Sequence, residues 1–246
     1  MNKRLGKRGE PVQLELRVRT WGGRRANAGR PAGKQRPEPH RARPEVKPQH
    51  PVHITLKIED DLPSLRSKAL SAVVLEALAK GKEREGFRVV HFCIRGRHLH
   101  LVTEAESKQS LGLGMRGLGV RLARAINKKL GRRGRVFKER YCGRVKRTPT
   151  ETRRSIAYVL NNSRRHCAER GERLAWNWLD PLSSAAWFDG WRFGRPPPPG
   201  PPPVAQPRSW LLSVGWRRAG GPLDPNEIPG PTAAGVASRR RFRAPR

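Results

Sequence analysis

Two histidines separated by one residue give this sequence its first chemical signal. His98 and His100 flank Leu99 in a segment whose apolar residues alternate, which is the pattern of a β-strand. Side chains two positions apart on a strand project from the same face, so both imidazoles can converge on one metal ion. A histidine pair on a solvated sheet face needs no ligand, so the spacing alone leaves both interpretations open.

A tyrosine and an amide side chain give the second signal. Tyr158 and Asn162 are four residues apart in a segment with helical spacing, which places them on one helix face. Thr148 and Glu151 have the spacing of a capping box with proline at the first helical position, so we expect the helix to begin at Thr148. The apolar stripe of this helix lies elsewhere on its surface, at Ile156, Val159, Leu160 and Cys167. A tyrosine at the edge of such a stripe is also common, with its hydroxyl simply reaching water.

These groups form a coherent set for attack on a DNA phosphodiester. A phenol is largely protonated and a weak nucleophile at neutral pH, and the phosphate repels anions. A divalent ion neutralises charge and orients the ester for in-line attack by tyrosine, which leaves a 5′-phosphotyrosine and a free 3′-hydroxyl. Hard ions such as Mg²⁺ or Mn²⁺ also prefer oxygen donors, and the carboxamide oxygen of Asn162 is a candidate third ligand.

The charge of the chain indicates its partner. Lysine and arginine total 53 against 20 aspartate and glutamate in 246 residues, a net charge of +33 that favours nucleic acid. No apolar run approaches the roughly 18 residues of a spanning helix, and no signal peptide is recognisable, so we expect a soluble cytoplasmic protein associated with the nucleoid. The 3 cysteines have no short pairing, which argues against a disulfide framework or a cysteine zinc site.

Composition and periodicity divide the chain into three parts. Residues 1–50 are basic and rich in proline and glycine, which predicts a disordered arm. Residues 51–192 carry the periodic segments and form the predicted catalytic domain. Residues 193–246 contain a run of prolines and a basic end, which predicts a linker and tail, with a short amphipathic helix over 209–218.

The periodic segments predict an α+β fold. The expected order is strand 52–58, a helix after Pro63 that ends near Gly81, strand 87–94, strand 98–104, helix 107–130, a basic strand within 131–147 and the helix from Thr148. This order predicts an antiparallel, ferredoxin-like sheet with helices packed on it.

With these motifs in this order, the chain resembles the single-tyrosine HUH transposases, especially their REP-associated tyrosine transposase branch, over roughly residues 50–191. His98-Leu99-His100 is similar to the family's His-hydrophobic-His strand, and Tyr158 with Asn162 is similar to its tyrosine followed by an amide four positions later. The resemblance implies Tyr158 as the nucleophile and His98, His100 and Asn162 as ligands of Mg²⁺ or Mn²⁺. It also implies cleavage and rejoining of single-stranded, hairpin-bearing DNA.

Other parts of the sequence refine this resemblance. Residues 180–188 resemble the stretch that follows the catalytic helix in the REP-associated branch, whereas Ser163 stands where many relatives have proline. Tyr141 is the other tyrosine of the chain and has no amide at the corresponding spacing. The candidate DNA contacts are basic residues of the predicted ribbon, Arg135, Lys138, Arg140, Arg144 and Lys146.

Two alternatives remain open at this point. One is a catalytically inactive DNA- or RNA-binding regulator with the same fold, and the other is a replication-initiation nickase. The nickase usually brings a helicase module, and this sequence has no Gly-x-x-x-x-Gly-Lys-Ser/Thr loop. The DNA target, the preferred ion and the choice between monomer and homodimer are not determined.

Overall fold

The structure is a computed structural model that describes residues 44–194 and 197–230. At its centre lies a five-stranded antiparallel sheet in the order β2-β3-β4-β1-β5. The strands are β1 (Val52–Lys57), β2 (Glu83–Arg84), β3 (Phe87–Ile94), β4 (His98–Ala105) and β5 (Cys142–Val145). The four longer strands and the helices between them follow the ferredoxin-like plan. The predicted α+β class is confirmed.

One face of the sheet, here called the apolar face, packs against two helices, α1 (Lys68–Gly81) and α2 (Lys108–Lys129). Strand alternation directs Ile54 and Leu56 of β1 and Leu99 and Leu101 of β4 to this face, where all four are buried. They form one core with the apolar stripes of the helices, as the sequence predicts.

The other face, here called the histidine face, is covered by α3 (Pro149–Leu160), which α4 (Asn162–Glu169) follows. Thr148 caps α3 as expected, because its hydroxyl accepts the Glu151 backbone N–H while Glu151 accepts the Thr148 N–H. The sequence predicts one helix through Cys167, whereas the structure has a break at Asn161. The Asn161 amide donates hydrogen bonds to two carbonyl oxygens of the C-terminal segment, at Asp224 (2.9 Å) and Glu227 (3.0 Å).

That C-terminal segment, residues 197–230, differs from the predicted linker and tail. It contains a one-turn helix, α5 (Trp210–Ser213), and a 3₁₀ turn (Gly215–Arg218), within the span where an amphipathic helix was expected. Leu212, Trp216 and Leu223 are buried in the core of the histidine face. This part of the chain therefore packs because it supplies apolar surface, which its proline content obscures in the sequence.

Residues 180–188 protect the edge of β3 next to the short strand β2. The Ile94 N–H donates to the Leu182 carbonyl oxygen (2.8 Å), and the Phe92 N–H donates to the Ser184 hydroxyl (3.0 Å). The buried Asp180 carboxylate accepts two hydrogen bonds from Arg66, at 2.8 and 3.0 Å. This stretch closes the sheet edge, which would otherwise be open to other strands.

Two predictions concern residues outside this description. Most of the predicted basic arm, up to residue 43, and the basic end from residue 231 lie outside the described residues. Among the described helices, none is long and apolar enough to cross a membrane.

Candidate active site on the histidine face

The strand register brings the predicted histidine pair into the centre of the histidine face. His100 on β4 lies opposite Thr55 on β1 and opposite Cys93 on β3, and His98 lies opposite Lys57. The Thr55 hydroxyl oxygen is 3.2 Å from His100 Nδ1. A hydrogen bond at Nδ1 fixes the ring and leaves Nε2 as the nitrogen that faces a ligand.

Tyr158 lies directly against His100. The two ring centroids are 5.4 Å apart and meet edge to face at 85°. A third imidazole, His53 on β1, lies 5.4 Å from the Tyr158 ring and 5.7 Å from the His100 ring. The ring centroid of His98 is 6.2 Å from that of His100. The fold thus gathers a phenol and three imidazoles from α3, β1 and β4.

Asn162 is buried at the start of α4, four residues after Tyr158. Its side chain is 0% exposed, and within the described residues neither its amide nitrogen nor its oxygen has a hydrogen-bond partner. An amide buried without partners costs free energy, because it loses its hydrogen bonds to water. The unpaired oxygen is therefore available to a ligand, and no hydrogen bond to either histidine uses it.

The imidazoles of this site are held neutral. Burial, and then the neighbouring His98, lowers the pKa of His100 to about 3. Burial also lowers the pKa of His98, with the charge of Lys57 acting in the same direction. The pKa of His53 is well below its ordinary value, again chiefly through burial. Only neutral imidazole binds a metal ion, so these side chains are in the ligating form at neutral pH.

Positive side chains surround the ring cluster. The Arg165 guanidinium lies 5.4 Å from the centroid of the Tyr158 ring and also pairs with Glu169 at 3.0 Å. Arg95, on the turn between β3 and β4, donates a hydrogen bond of 2.8 Å to the Ser163 hydroxyl, and its charge acts on both His98 and His100. A DNA phosphate entering this face would meet positive charge on two sides.

Three residues that contact or act on this site were not predicted from the sequence: His53, His166 and Arg95. His53 alternates with the apolar residues of β1, so the sequence predicts that its side chain points away from the apolar core. Its neighbours, however, depend on the pairing of β1 with β4. His166 is four residues after Asn162, and its protonated form would lower the pKa of His98 and His100. Arg95 was read only as part of a turn.

Tyr141, the weaker rival, occupies the opposite side of the sheet. Its side chain packs against the core of the apolar face, which contains Ile54 and Val52, close to Gly143. Tyr158, by contrast, contacts the rings of His53 and His100 on the histidine face. The geometry therefore favours Tyr158 as the phenol of this site.

The predicted DNA contacts fall into two groups. Arg135 pairs with Glu59 at 3.0 Å, and Lys138 forms a short ion pair with Asp60, so the charge of both is partly neutralised. Arg144, by contrast, is exposed on β5 directly opposite His53. Of the predicted ribbon, Arg144 is thus closest to the site in the strand register.

Comparison with known proteins finds similarity to solved structures. No family model matches this sequence, and no curated protein matches it. A solved structure described as a REP-associated tyrosine transposase bound to a REP hairpin is similar to 69% of this chain, over 95% of its own chain. The TM-score is 0.48 and the sequence identity is 14%. The fold class stated above rests on the strands and helices of this chain itself.

Proposed function

We propose that this chain is a metal-dependent DNA strand transesterase that cleaves and rejoins single-stranded DNA through Tyr158. The observation that carries the proposal is the contact between the Tyr158 ring and His100, at 5.4 Å, on a sheet face where His98 projects alongside. Packing alone does not require a half-buried tyrosine to contact two neutral imidazoles.

The residues present fit a divalent ion. His98 and His100 would supply two neutral nitrogens, and the partnerless oxygen of Asn162 would supply the third donor. No group of three or more histidine, cysteine, aspartate or glutamate side chains in the described ranges could hold a metal. The proposal therefore requires a donor of another type, and it assigns this role to the Asn162 oxygen. Mg²⁺ and Mn²⁺ accept such a mixed shell, which leaves further positions for phosphate oxygen.

When bound, the ion supplies charge neutralisation and orientation at the scissile phosphate. The Tyr158 oxygen forms a bond to phosphorus while the bond from phosphorus to the 3′-oxygen breaks, and the phenolic proton balances the new 3′-hydroxyl. Arg95 and Arg165 offset charge on the phosphate, and Thr55 holds the His100 ring. Attack by a 3′-hydroxyl on the phosphotyrosine reverses these bond changes and rejoins the strand.

A covalent-adduct assay tests the proposal. Purified protein, Mn²⁺ and end-labelled single-stranded DNA carrying a hairpin should yield a protein-linked label that resists denaturation. Tyr158→Phe should abolish the adduct, because the attacking oxygen is removed. Tyr141→Phe is the matched control and should retain it, since Tyr141 packs on the other side of the sheet. An undiminished adduct with Tyr158→Phe contradicts the proposal.

A second candidate function is DNA or RNA binding without turnover. The third donor is a neutral amide rather than a carboxylate, so the donor set would hold a cation less firmly than a charged set. This candidate predicts salt-sensitive binding with no adduct for any labelled strand, and no change in binding with His100→Ala.

A further inference from the structure

Trp176 is the most exposed large apolar side chain of the described residues. Its exposed fraction is 72%, and the neighbouring Phe193 is 54% exposed. The two ring centroids are 6.2 Å apart with an angle of 41° between the planes. Two adjacent aromatic rings left in water are unusual on a surface as charged as this one.

The loop that presents Trp176 is held firmly in place. The buried Arg164 of α4 donates hydrogen bonds to the carbonyl oxygens of Leu174 (3.3 Å), Ala175 (2.7 Å) and Trp178 (3.3 Å). Asn177 adopts a left-handed conformation with φ of 55°, which asparagine tolerates better than most residues. The Arg164 guanidinium therefore fixes the backbone on both sides of the exposed Trp176 ring.

Asn226 of the C-terminal segment completes this support. Its side-chain oxygen accepts the Asn177 backbone N–H at 2.9 Å, and its amide nitrogen donates to the Asn177 side-chain oxygen at 3.1 Å. Trp176 then forms one wall of a cleft of about 520 Å³, which Ile228 and Arg173 also line. The ring is preorganised, so a ligand that stacks on it pays little to order the loop.

The charge around the two rings favours a polyanion. Arg173 and Arg192 are exposed, and neither forms an ion pair within the described part of the chain. The loop and the candidate active site both contact α4, since Arg164 holds the loop and the next residue, Arg165, lies over the Tyr158 ring. An exposed aromatic ring can stack on a nucleotide base, and the neighbouring guanidinium groups can bind the phosphates joined to that base.

We propose that Trp176 and Phe193 form a stacking platform for unpaired bases of a single-stranded DNA that crosses the chain near Tyr158. Aromatic rings stack on any base once it is unpaired, whereas duplex DNA keeps its bases covered. The inference rests on the DNA partner of the proposed function, but it does not depend on the metal or on covalent chemistry.

The test is equilibrium binding of the full chain to a fluorescently labelled oligothymidine of 15 nucleotides in the presence of EDTA. Fluorescence anisotropy measures the affinity. Trp176→Ala should weaken binding roughly tenfold, because one stacked base is lost. Trp176→Phe should recover most of the affinity, since a smaller ring still stacks. An oligomer with the same phosphates but abasic sugars should bind wild type and Trp176→Ala within about twofold of each other.

Trp210→Ala is the matched control. Trp210 is 47% exposed and lies on α5, where the Arg218 guanidinium already covers its ring at 5.2 Å, so oligothymidine affinity should be unchanged. The platform is overturned if Trp176→Ala binds oligothymidine as wild type does, or if it loses the same affinity for the abasic strand. Because no metal is present, the binding result stands apart from the adduct assay, and either proposal can fail while the other holds.

Discussion

The apolar face and the histidine face of the sheet are formed by the same strands, one residue out of step. On β4, Leu99 and Leu101 enter an apolar core that the helices α1 and α2 close. His98 and His100 alternate with them, and His100 meets Tyr158 of α3. Within the described residues, His53 on β1 and Asn162 at the start of α4 have buried polar atoms without hydrogen-bond partners. One side of the strand is arranged for packing, and the other retains groups that are costly to bury.

This difference indicates that one face of the sheet contributes mainly to stability and the other carries the candidate chemistry. Unpaired buried polar atoms and neutral buried imidazoles reduce the free energy of unfolding relative to apolar side chains of similar size. The histidine face retains such groups, although the other side of the same strands packs into an apolar core. Neighbouring residues of β4 therefore allow each property to be changed alone.

The largest expected effect on stability is on the apolar face. Leu101→Ala removes a side chain that is 0% exposed, and it should lower the free energy of unfolding by about 3 to 4 kcal/mol, as cavity-forming changes do. Urea unfolding followed by circular dichroism measures this change. Adduct formation per folded molecule should stay within about twofold of wild type at low temperature. If fully folded Leu101→Ala protein formed much less adduct than wild type, the proposed separation of the two faces would be contradicted.

The adjacent change, His100→Ala, should have the opposite profile. Removing a proposed ligand that touches Tyr158 should reduce the rate of adduct formation by on the order of a hundredfold or more. The free energy of unfolding should change by less than about 1.5 kcal/mol, because a neutral imidazole with one neighbouring hydroxyl is replaced. The stabilisation of the fold by Mn²⁺, measured as a shift in Tm, should also disappear. A variant that keeps both the adduct rate and the Mn²⁺ shift would remove His100 from the site.

The sequence predicts the elements of both faces better than their surroundings. Alternation on β1 and β4 and the capping box at Thr148 predict the sheet and the start of α3, because these signals are local. The break at Asn161 depends on carbonyl oxygens more than sixty residues away, at Asp224 and Glu227. Local periodicity carries no information about such contacts, and the roles of Tyr158, His98, His100 and Asn162 stay predictions.

A smaller effect tests what a buried imidazole costs in stability at low pH. His91 on β3 packs edge to face against Phe188, which belongs to the core of the histidine face. Burial lowers the pKa of His91 from an ordinary value of 6.5 to about 4. The unfolded chain binds a proton first as the pH falls through 6.5, so the folded state loses stability, by about 2 kcal/mol for this residue near pH 5.

His91→Leu isolates this contribution. The difference in free energy of unfolding between about pH 7.5 and about pH 5 should be smaller in the variant by about 2 kcal/mol, measured by urea unfolding at each pH. The other buried histidines still titrate, so the comparison of variant with wild type is the informative one. An identical pH dependence in the two proteins would mean that His91 is protonated in the folded state, contrary to its burial.

The smallest effect compares the helix caps of the two faces. Thr148 caps α3 and Ser107 caps α2, and each hydroxyl accepts the backbone N–H three residues on, at 3.2 and 3.0 Å. Thr148→Ala and Ser107→Ala should each lower the free energy of unfolding by about 1 kcal/mol. Only Thr148→Ala loosens the helix that holds Tyr158 against His100, so only this variant should slow adduct formation, by a fewfold, and speed amide exchange around residue 158. Equal effects of both caps on the adduct would indicate that global stability, rather than the position of α3, limits the reaction.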